Sequence, residues 1–420
     1  MMRFPTWAAL GLLLTPFATP VFADRLDDAR IAYREGDVVR AERLLKELIA
    51  QKDGRAYSVT ADAYYYGVGV AQNYEAAAEN FRKAGDMGDP YGTTMLGLLY
   101  FRGTGVATDF EKGLALFQKA ANAGFAMAQR NLGITYHEGR AVEENPGLAR
   151  QWLQKAADQG DILAQWHLGN FFLLGRGGVK DPAQAAHWYT KAADKELPEA
   201  ERELGKLYWM GTGVKKDPQE AVFWLERAAR RQDVQALYWM GHAYTDGYGV
   251  PKDPEAALAR WRQSAELGQP DAAARVGFHY FNLSKPLLPE DQAQALKFFK
   301  LGAERGNHQS QFGYGYMLFN GLGVAKDFQQ ALGWFTKAAH QSHRMSMVMV
   351  AFMNANGVSK AVDDQEAFAW LLASEGLDPE LTPSQTKIYQ DVYKLVNDRI
   401  TSDRRFNAIM QAQTIKATLK

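Results

Sequence analysis

Small and apolar residues recur along the chain with a period of 36 residues. The period is clearest at a turn with the form Gly-x-Gly-Val, whose first glycine serves as the origin of each copy. One gap of 74 residues equals two periods plus two residues, which predicts a seventh copy without this turn and with a two-residue insertion in 282–290. The pattern therefore predicts nine copies of one unit. The eight origins are Gly67, Gly103, Gly139, Gly175, Gly211, Gly247, Gly321 and Gly357.

Each copy has the apolar spacing of two helices, because its small and apolar residues lie three and four positions apart. Before the glycine stands small-x-x-x-Leu-Gly-x-x-Tyr, as in Ala128, Leu132–Gly133 and Tyr136. We expect the small residues to let the two helices approach closely. After the glycine come an Asp or Asn at six, a small residue at ten, an aromatic residue at thirteen or fourteen, and Lys-Ala-Ala or a close variant.

An Asp or Asn six residues after the glycine marks the start of the second helix, since its side chain can accept from the free amides of a first turn. In four copies proline follows at once, as is common at the first helical position. No segment alternates with the period of a strand for long enough to predict a sheet. The predicted fold is all-α, an α/α superhelical solenoid of about ten helix pairs. The predicted caps are Asn73, Asp109, Asn145, Asp181, Asp217, Asp253, Asp327 and Asp363.

The combined pattern A-x-x-x-L-G-x-x-Y-x-x-G-x-G-V-x-x-D-x-x-x-A-x-x-W-x-x-K-A-A resembles the Sel-one-like repeat (SLR) family, a relative of the tetratricopeptide repeat. The resemblance covers residues 55–376, with copies seven and nine departing most from the pattern. Residues 24–54 resemble one shorter tetratricopeptide-type pair, and residues 377–420 hold two further predicted helices. We expect both segments to cap the solenoid, because an open end would leave apolar surface in water.

Residues 1–23 have the features of a secretory signal peptide. Arg3 gives a positive start, Trp7–Leu14 is a short apolar core, and a cut after Ala23 would leave Asp24 as the first residue. An uncleaved membrane anchor is the alternative, although the apolar core is shorter than the roughly 20 residues that span a bilayer. No later stretch is long and apolar enough to cross a membrane. The sequence thus predicts an exported protein, with the bacterial periplasm as the best fit.

Composition narrows the possible functions. The 48 basic and 48 acidic residues balance, which argues against a broad nucleic-acid-binding surface. There is no cysteine, so disulfides, thiolate metal sites and cysteine nucleophiles are excluded.

No catalytic or metal-binding set stands out from the repeat. The eight histidines each occupy a different register, and His340 and His343 lack the further ligands that a metal site requires. Ser384 and Lys387 match the S-x-x-K start of a penicillin-recognising site, but the partner motifs of that site are absent. We therefore expect no cofactor, no metal and no enzymatic activity.

The first helix of each copy carries an unexpectedly apolar stripe opposite its predicted core positions. The stripe lies nine, five and two residues before the glycine, and it also includes His137 and Val348. The family resemblance implies that this first helix lines the concave groove of the solenoid. Aromatic side chains in a groove are where binding energy for a protein partner concentrates. The alternative, packing of successive first helices that buries the stripe, stays open. The predicted partner-binding residues are Phe101, Trp166, Trp209, Tyr238, Phe278, Phe281, Phe312, Tyr316, Phe319 and Phe352.

These features favour a non-enzymatic scaffold that holds another protein in its groove. Resemblance to the SLR family implies a place in a cell-envelope process such as exopolysaccharide export or motility. An immunity protein that neutralises a periplasm-delivered toxin, such as a type VI secretion lipase, is the alternative within binding proteins. A peptidoglycan-acting enzyme is the alternative from another class.

Overall fold

The computed structural model describes residues 20–281, 288–377 and 381–419, with side chains from Arg25 onward. The chain forms two compact units that divide between Lys195 and Glu196. Within the described residues every regular element is a helix, and consecutive helices pack as pairs in a repeat solenoid, so the predicted all-α fold class is confirmed.

Unit 1 holds the first ten described helices, in chain order and with short connections. They are α1 Pro20–Arg34, α2 Val38–Ala50, α3 Arg55–Tyr66, α4 Tyr74–Asp86, α5 Pro90–Arg102, α6 Phe110–Asn122, α7 Ala126–Glu138, α8 Pro146–Asp158, α9 Ile162–Leu174 and α10 Pro182–Ala193.

Unit 2 continues the same order over the next twelve described helices. They are α11 Pro198–Met210, α12 Pro218–Arg230, α13 Val234–Asp246, α14 Pro254–Glu266, α15 Pro270–Tyr280, α16 Pro289–Glu304, α17 His308–Asn320, α18 Phe328–Ala339, α19 Arg344–Asn356, α20 Asp364–Ser374, α21 Pro383–Arg399 and α22 Ser402–Thr418.

The predicted helix starts are confirmed at all eight positions. Each Asp or Asn side chain accepts a hydrogen bond from the backbone amide three residues later, as Asp109 does from Lys112 at 3.0 Å. In the eight copies that have the turn, the first helix ends at its glycine in the left-handed conformation, with φ between 61° and 73°. Both ends of the connection are therefore fixed by local hydrogen bonding and backbone geometry.

Close approach of the two helices in a copy depends on a small residue six positions before the glycine. At Gly133 an added methyl group would press on Leu153, and at Gly169 it would collide with the ring of Tyr189. Leu153 and Tyr189 are both fully buried. The expected role of the small residues is confirmed.

The aromatic position of the second helix divides into two environments. The residue fourteen after the glycine is the one that packs against the first helix, and Phe81, Phe117, Tyr189 and Phe335 are buried there. The tryptophan at thirteen is half-buried in some copies, as at Trp152 and Trp334, and buried in others, as at Trp188, Trp224 and Trp370. A lysine three residues later covers it in several copies, as Lys337 covers Trp334 with its ammonium 3.9 Å from the ring centroid.

The second glycine of the turn packs against the backbone of the preceding copy. A side chain at Gly105 would collide with the carbonyl of Tyr74, the first residue of α4, and one at Gly177 would meet the carbonyl of Pro146 in the same way. Both glycines also have positive φ, 68° and 65°. In these two copies the turn thus lies on the start of the second helix of the copy before, so closely that the contact allows no β-carbon.

Two helices flank the repeats on each side in the described chain, α1 and α2 before them and α21 and α22 after them. α1 packs against α2, and α20 packs against α22 as well as against α19. Their capping function stays a prediction. In the seventh copy α15 ends at Tyr280 without a glycine turn, and most of the predicted insertion, 282–287, lies outside the described residues.

Substitutions at equivalent turn positions should have unequal effects. Gly105→Ala should lower the free energy of unfolding by about 3 kcal/mol, since it adds both left-handed strain and a backbone collision. Ala141 already occupies the equivalent position in the third copy with φ 62°. Ala141→Gly should change stability by no more than about 1 kcal/mol, in either direction. Urea unfolding followed by circular dichroism measures both, and equal losses would contradict the proposed contact.

Candidate partner-binding site

The ten residues predicted to bind a partner lie on, or at the end of, the first helices of their copies, and most are half-buried. Phe278 has 40% of its surface exposed, whereas the other nine are intermediate between buried and exposed. The stripe is therefore neither completely buried by helix packing nor completely exposed to solvent. Phe101 and Trp166 belong to unit 1, and the remaining eight belong to unit 2.

Four of these residues form a connected group in unit 2, which we call the aromatic cluster: Phe278, Phe281, Phe312 and Tyr316. The ring centroid of Tyr316 lies 5.6 Å from that of Phe281 and 6.1 Å from that of Phe312. Phe278 joins through the buried Phe299, whose centroid is 4.9 Å away. α15 and α17 therefore place four rings side by side, each with part of its surface accessible.

Phe319 and Phe352 form a second contact in unit 2. Their ring centroids are 6.1 Å apart, in an edge-to-face arrangement between α17 and α19. Beside Phe352 is a cavity of 240 Å³ between α19 and α21, which the sequence analysis missed because it depends on a helix outside the repeat pattern. Its lining residues are Phe352, Asn356, Ile388, Asp391, Val392 and Leu395.

Trp209 and Tyr238 are held by their own neighbours within unit 2. The ring of Trp209 lies 4.0 Å from that of Tyr248, whose hydroxyl donates to the Trp209 carbonyl at 2.9 Å. The carbonyl of Tyr238 accepts from the Trp261 indole at 3.1 Å. These contacts fix both residues in the helix packing.

In unit 1, Phe101 and Trp166 also contact their own surroundings. Phe101 stacks on Phe117 with centroids 5.1 Å apart. The indole nitrogen of Trp166 is buried and makes no hydrogen bond to the described residues. Burial, with the neighbouring Arg130 and His137, lowers the pKa of the adjacent His167 to about 3.

Val348 corrects the expectation for the stripe in the ninth copy. It is fully buried, although its position corresponds to that of Phe312 one copy earlier. Nearly the whole circumference of α19 is buried, including Met345, Met347 and Met353. At Val348 the alternative expectation is therefore correct, because helix packing buries the stripe at this position.

The same register also carries ion pairs that the sequence analysis missed. Nine residues before the glycine, Arg130 contacts Asp161 at 3.1 Å and Arg202 contacts Asp233 at 2.6 Å. Each aspartate caps the first helix of the following copy. The sequence does contain a signal for these ion pairs, because an Asp follows each of the two arginines after 31 residues. These pairs link adjacent copies at positions where other copies have Trp166 and Tyr238.

His343 lies beside the aromatic cluster and caps α19. Its Nδ1 accepts from the Ser346 amide at 3.2 Å, and its ring centroid is 4.9 Å from that of Phe312. Burial and the nearby His308 lower the pKa of His343 to about 4. The neutral ring is therefore the form that the fold stabilises.

The described residues contain no group of three or more His, Asp or Glu side chains placed to bind a metal ion. None of the described helices combines the length and apolar character needed to cross a bilayer.

A protein-family model, the Sel1 repeat, matches the chain nine times in succession. The chain belongs to the Sel1 repeat family. The resemblance seen in the sequence is thereby confirmed, and the Sel1 repeats account for α3 to α20. The matched residues are 55–89, 90–125, 126–161, 162–197, 198–233, 234–269, 270–307, 308–343 and 344–374.

Solved structures of other Sel1 repeat proteins are similar to this one. A protective antigen of uropathogenic Escherichia coli with an SLR fold has a TM-score of 0.72 at 26% identity, over 95% of this chain and 84% of that one. A Sel1 repeat protein from Oxalobacter formigenes has a TM-score of 0.58 at 27% identity, over 74% of this chain and 90% of that one. A search among curated proteins found no match.

The capping His343 should make stability depend on pH. Unfolded histidine takes up a proton near pH 6.5, whereas the folded site does so only near pH 4. Stability should therefore fall as the pH drops through this window, by about 2 kcal/mol between about pH 7.5 and pH 5. His343→Asn keeps a capping side chain but does not titrate, so it should remove this part of the loss. Urea unfolding of both proteins at the two pH values measures the difference. An identical pH dependence would refute the assignment.

Proposed function

We propose that this Sel1 repeat protein is a non-enzymatic adaptor that binds a protein partner along the aromatic stripe of unit 2. Sel1 repeats generally mediate protein–protein interaction. The observation that supports this particular surface is the aromatic cluster, in which Phe278 is 40% exposed and three further rings are half-buried.

Rings held in this way are suited to binding. Their buried edges pack on Phe299 and Phe335, so their positions are set before any partner arrives. A binding surface that is already ordered loses less conformational entropy on association. Aromatic side chains are also the ones that most often dominate binding energy at protein interfaces.

The strongly shifted ionisable groups have structural partners that account for them. Burial raises the pKa of Asp62 to about 6, and this carboxyl accepts a hydrogen bond from the Tyr91 hydroxyl at 2.9 Å. His343 caps a helix, and the ring of His167 packs beside that of Trp166, with the two ring centroids 4.6 Å apart. These roles support an adaptor rather than an enzyme.

We also propose that the adaptor works in the periplasm, in a cell-envelope process such as exopolysaccharide export or motility. The predicted signal peptide lies largely outside the described residues, and the predicted cut after Ala23 falls inside α1. The buried residues of α1 that the structure describes, Leu26, Ala29, Ala32 and Tyr33, all follow that cut. Cleavage would therefore leave this packing in place.

Charged substitutions in the cluster should abolish partner binding. Phe312→Glu combined with Tyr316→Glu should remove proteins that the wild-type chain captures from a periplasmic extract, as judged by mass spectrometry. Loss of one aromatic anchor weakens binding by about 2 kcal/mol or more, roughly 30-fold. Phe278→Glu, at the most exposed ring, should weaken capture without disturbing the core.

The matched control is Phe223→Glu, an equally large change at a side chain that is 52% exposed on α12. It should leave capture intact. If the cluster variants keep their partners, the proposed surface is wrong. If their helical circular dichroism collapses, the stripe serves packing instead.

Export should be visible at the amino terminus. Mass spectrometry of the protein recovered from the periplasm should show Asp24 as the first residue. Recovery of a chain that begins at Met1, from the cytoplasm only, would contradict export while leaving the adaptor proposal standing.

A further inference from the structure

α22 presents an apolar face that no described part of the chain covers. Phe406, Ile409 and Met410 are 65%, 41% and 50% exposed. The opposite side of the helix, with Ala408, Ala412 and Ile415, is buried and faces α20. Three large apolar side chains on one helix face are unusual for a surface that remains in water.

The residues around this patch are arranged symmetrically along the helix. At about 100° per residue, Asp403, Phe406, Ile409, Met410, Gln413 and Lys416 share one side of α22. Their midpoint lies between Ile409 and Met410. Two such helices in antiparallel contact would place Ile409 against Met410 of the other copy, and Phe406 against Gln413.

The same register pairs opposite charges. Asp403, near the start of α22, would face Lys416 of the second copy near its end, and the pair would form twice. Asp403 and Lys416 are both exposed, and the Lys416 ammonium uses one donor, at 3.5 Å, for the Glu375 carbonyl. Two of its three donors remain for a carboxylate. Antiparallel contact also matches the helix dipoles, whereas a parallel contact would set aspartate against aspartate.

We propose that a second copy of this chain covers the apolar face, in a two-fold antiparallel contact between the α22 helices. A surface that complements itself under a two-fold rotation is what an isologous dimer requires. One helix face about 25 Å long is small for an interface. The dimer is therefore reversible and concentration-dependent. The contact is separate from the aromatic cluster and does not rest on the proposed adaptor function.

Sedimentation velocity of the full chain over a concentration series tests the dimer. The wild type should pass from monomer to dimer as concentration rises. Met410→Glu, which places two like charges at the centre of the contact, one from each copy, should raise the dimer dissociation constant at least about tenfold. Gln413→Leu should lower it, because Phe406 then meets an apolar partner. Phe223→Glu on α12 should leave it unchanged.

Charge reversal tests the register itself. Asp403→Lys and Lys416→Asp should each weaken self-association, since each sets like charges together twice. An equimolar mixture of these two variants should form a heterodimer, because every facing pair is then opposite in charge.

Three results would overturn the proposal. The first is a wild-type chain that stays monomeric at every concentration, which would leave the face to some other protein. The second is a dimer that Met410→Glu does not weaken. The third is a mixture of the charge variants that associates no better than either variant alone.

Discussion

The repeat depends on a close backbone contact between successive copies, which a turn glycine without a side chain makes in several of them. At Gly105 and Gly177 the turn lies directly on the first carbonyl of the preceding copy's second helix, and any β-carbon would collide. The turn is thus fixed to its own first helix by the left-handed cap and to the previous copy by this close approach. Within each unit, one short segment sets both the geometry inside a copy and the geometry between copies.

Features that depend on backbone geometry could be predicted from the sequence. The 36-residue step, the Asp and Asn caps and the small residues six before the glycine all follow from constraints that act over a few residues. The division between positions thirteen and fourteen could not be predicted, because both accept aromatic residues and only the direction of each side chain separates Trp334 from Phe335. The cavity beside Phe352 was also missed, since it depends on α21 and not on the repeat.

The candidate site was predicted less completely, for a physical reason. The position nine residues before the glycine faces the next copy, and its environment depends on what that copy contributes. It carries an ion pair at Arg130 and Arg202, a half-buried ring at Trp166, Tyr238 and Phe312, and a sealed core residue at Val348. Residue type alone therefore does not determine exposure there. The cluster of rings becomes evident only when α15 and α17 are placed side by side.

The constant period has a mechanical consequence. Each intact copy contains 36 residues, which extend to roughly 120–130 Å when fully stretched. Since a copy is held mainly by its immediate neighbours, tension on the chain would release copies one at a time and in equal steps of contour length. Under a pulling force such a protein would lengthen gradually by equal increments and would not unfold in a single event.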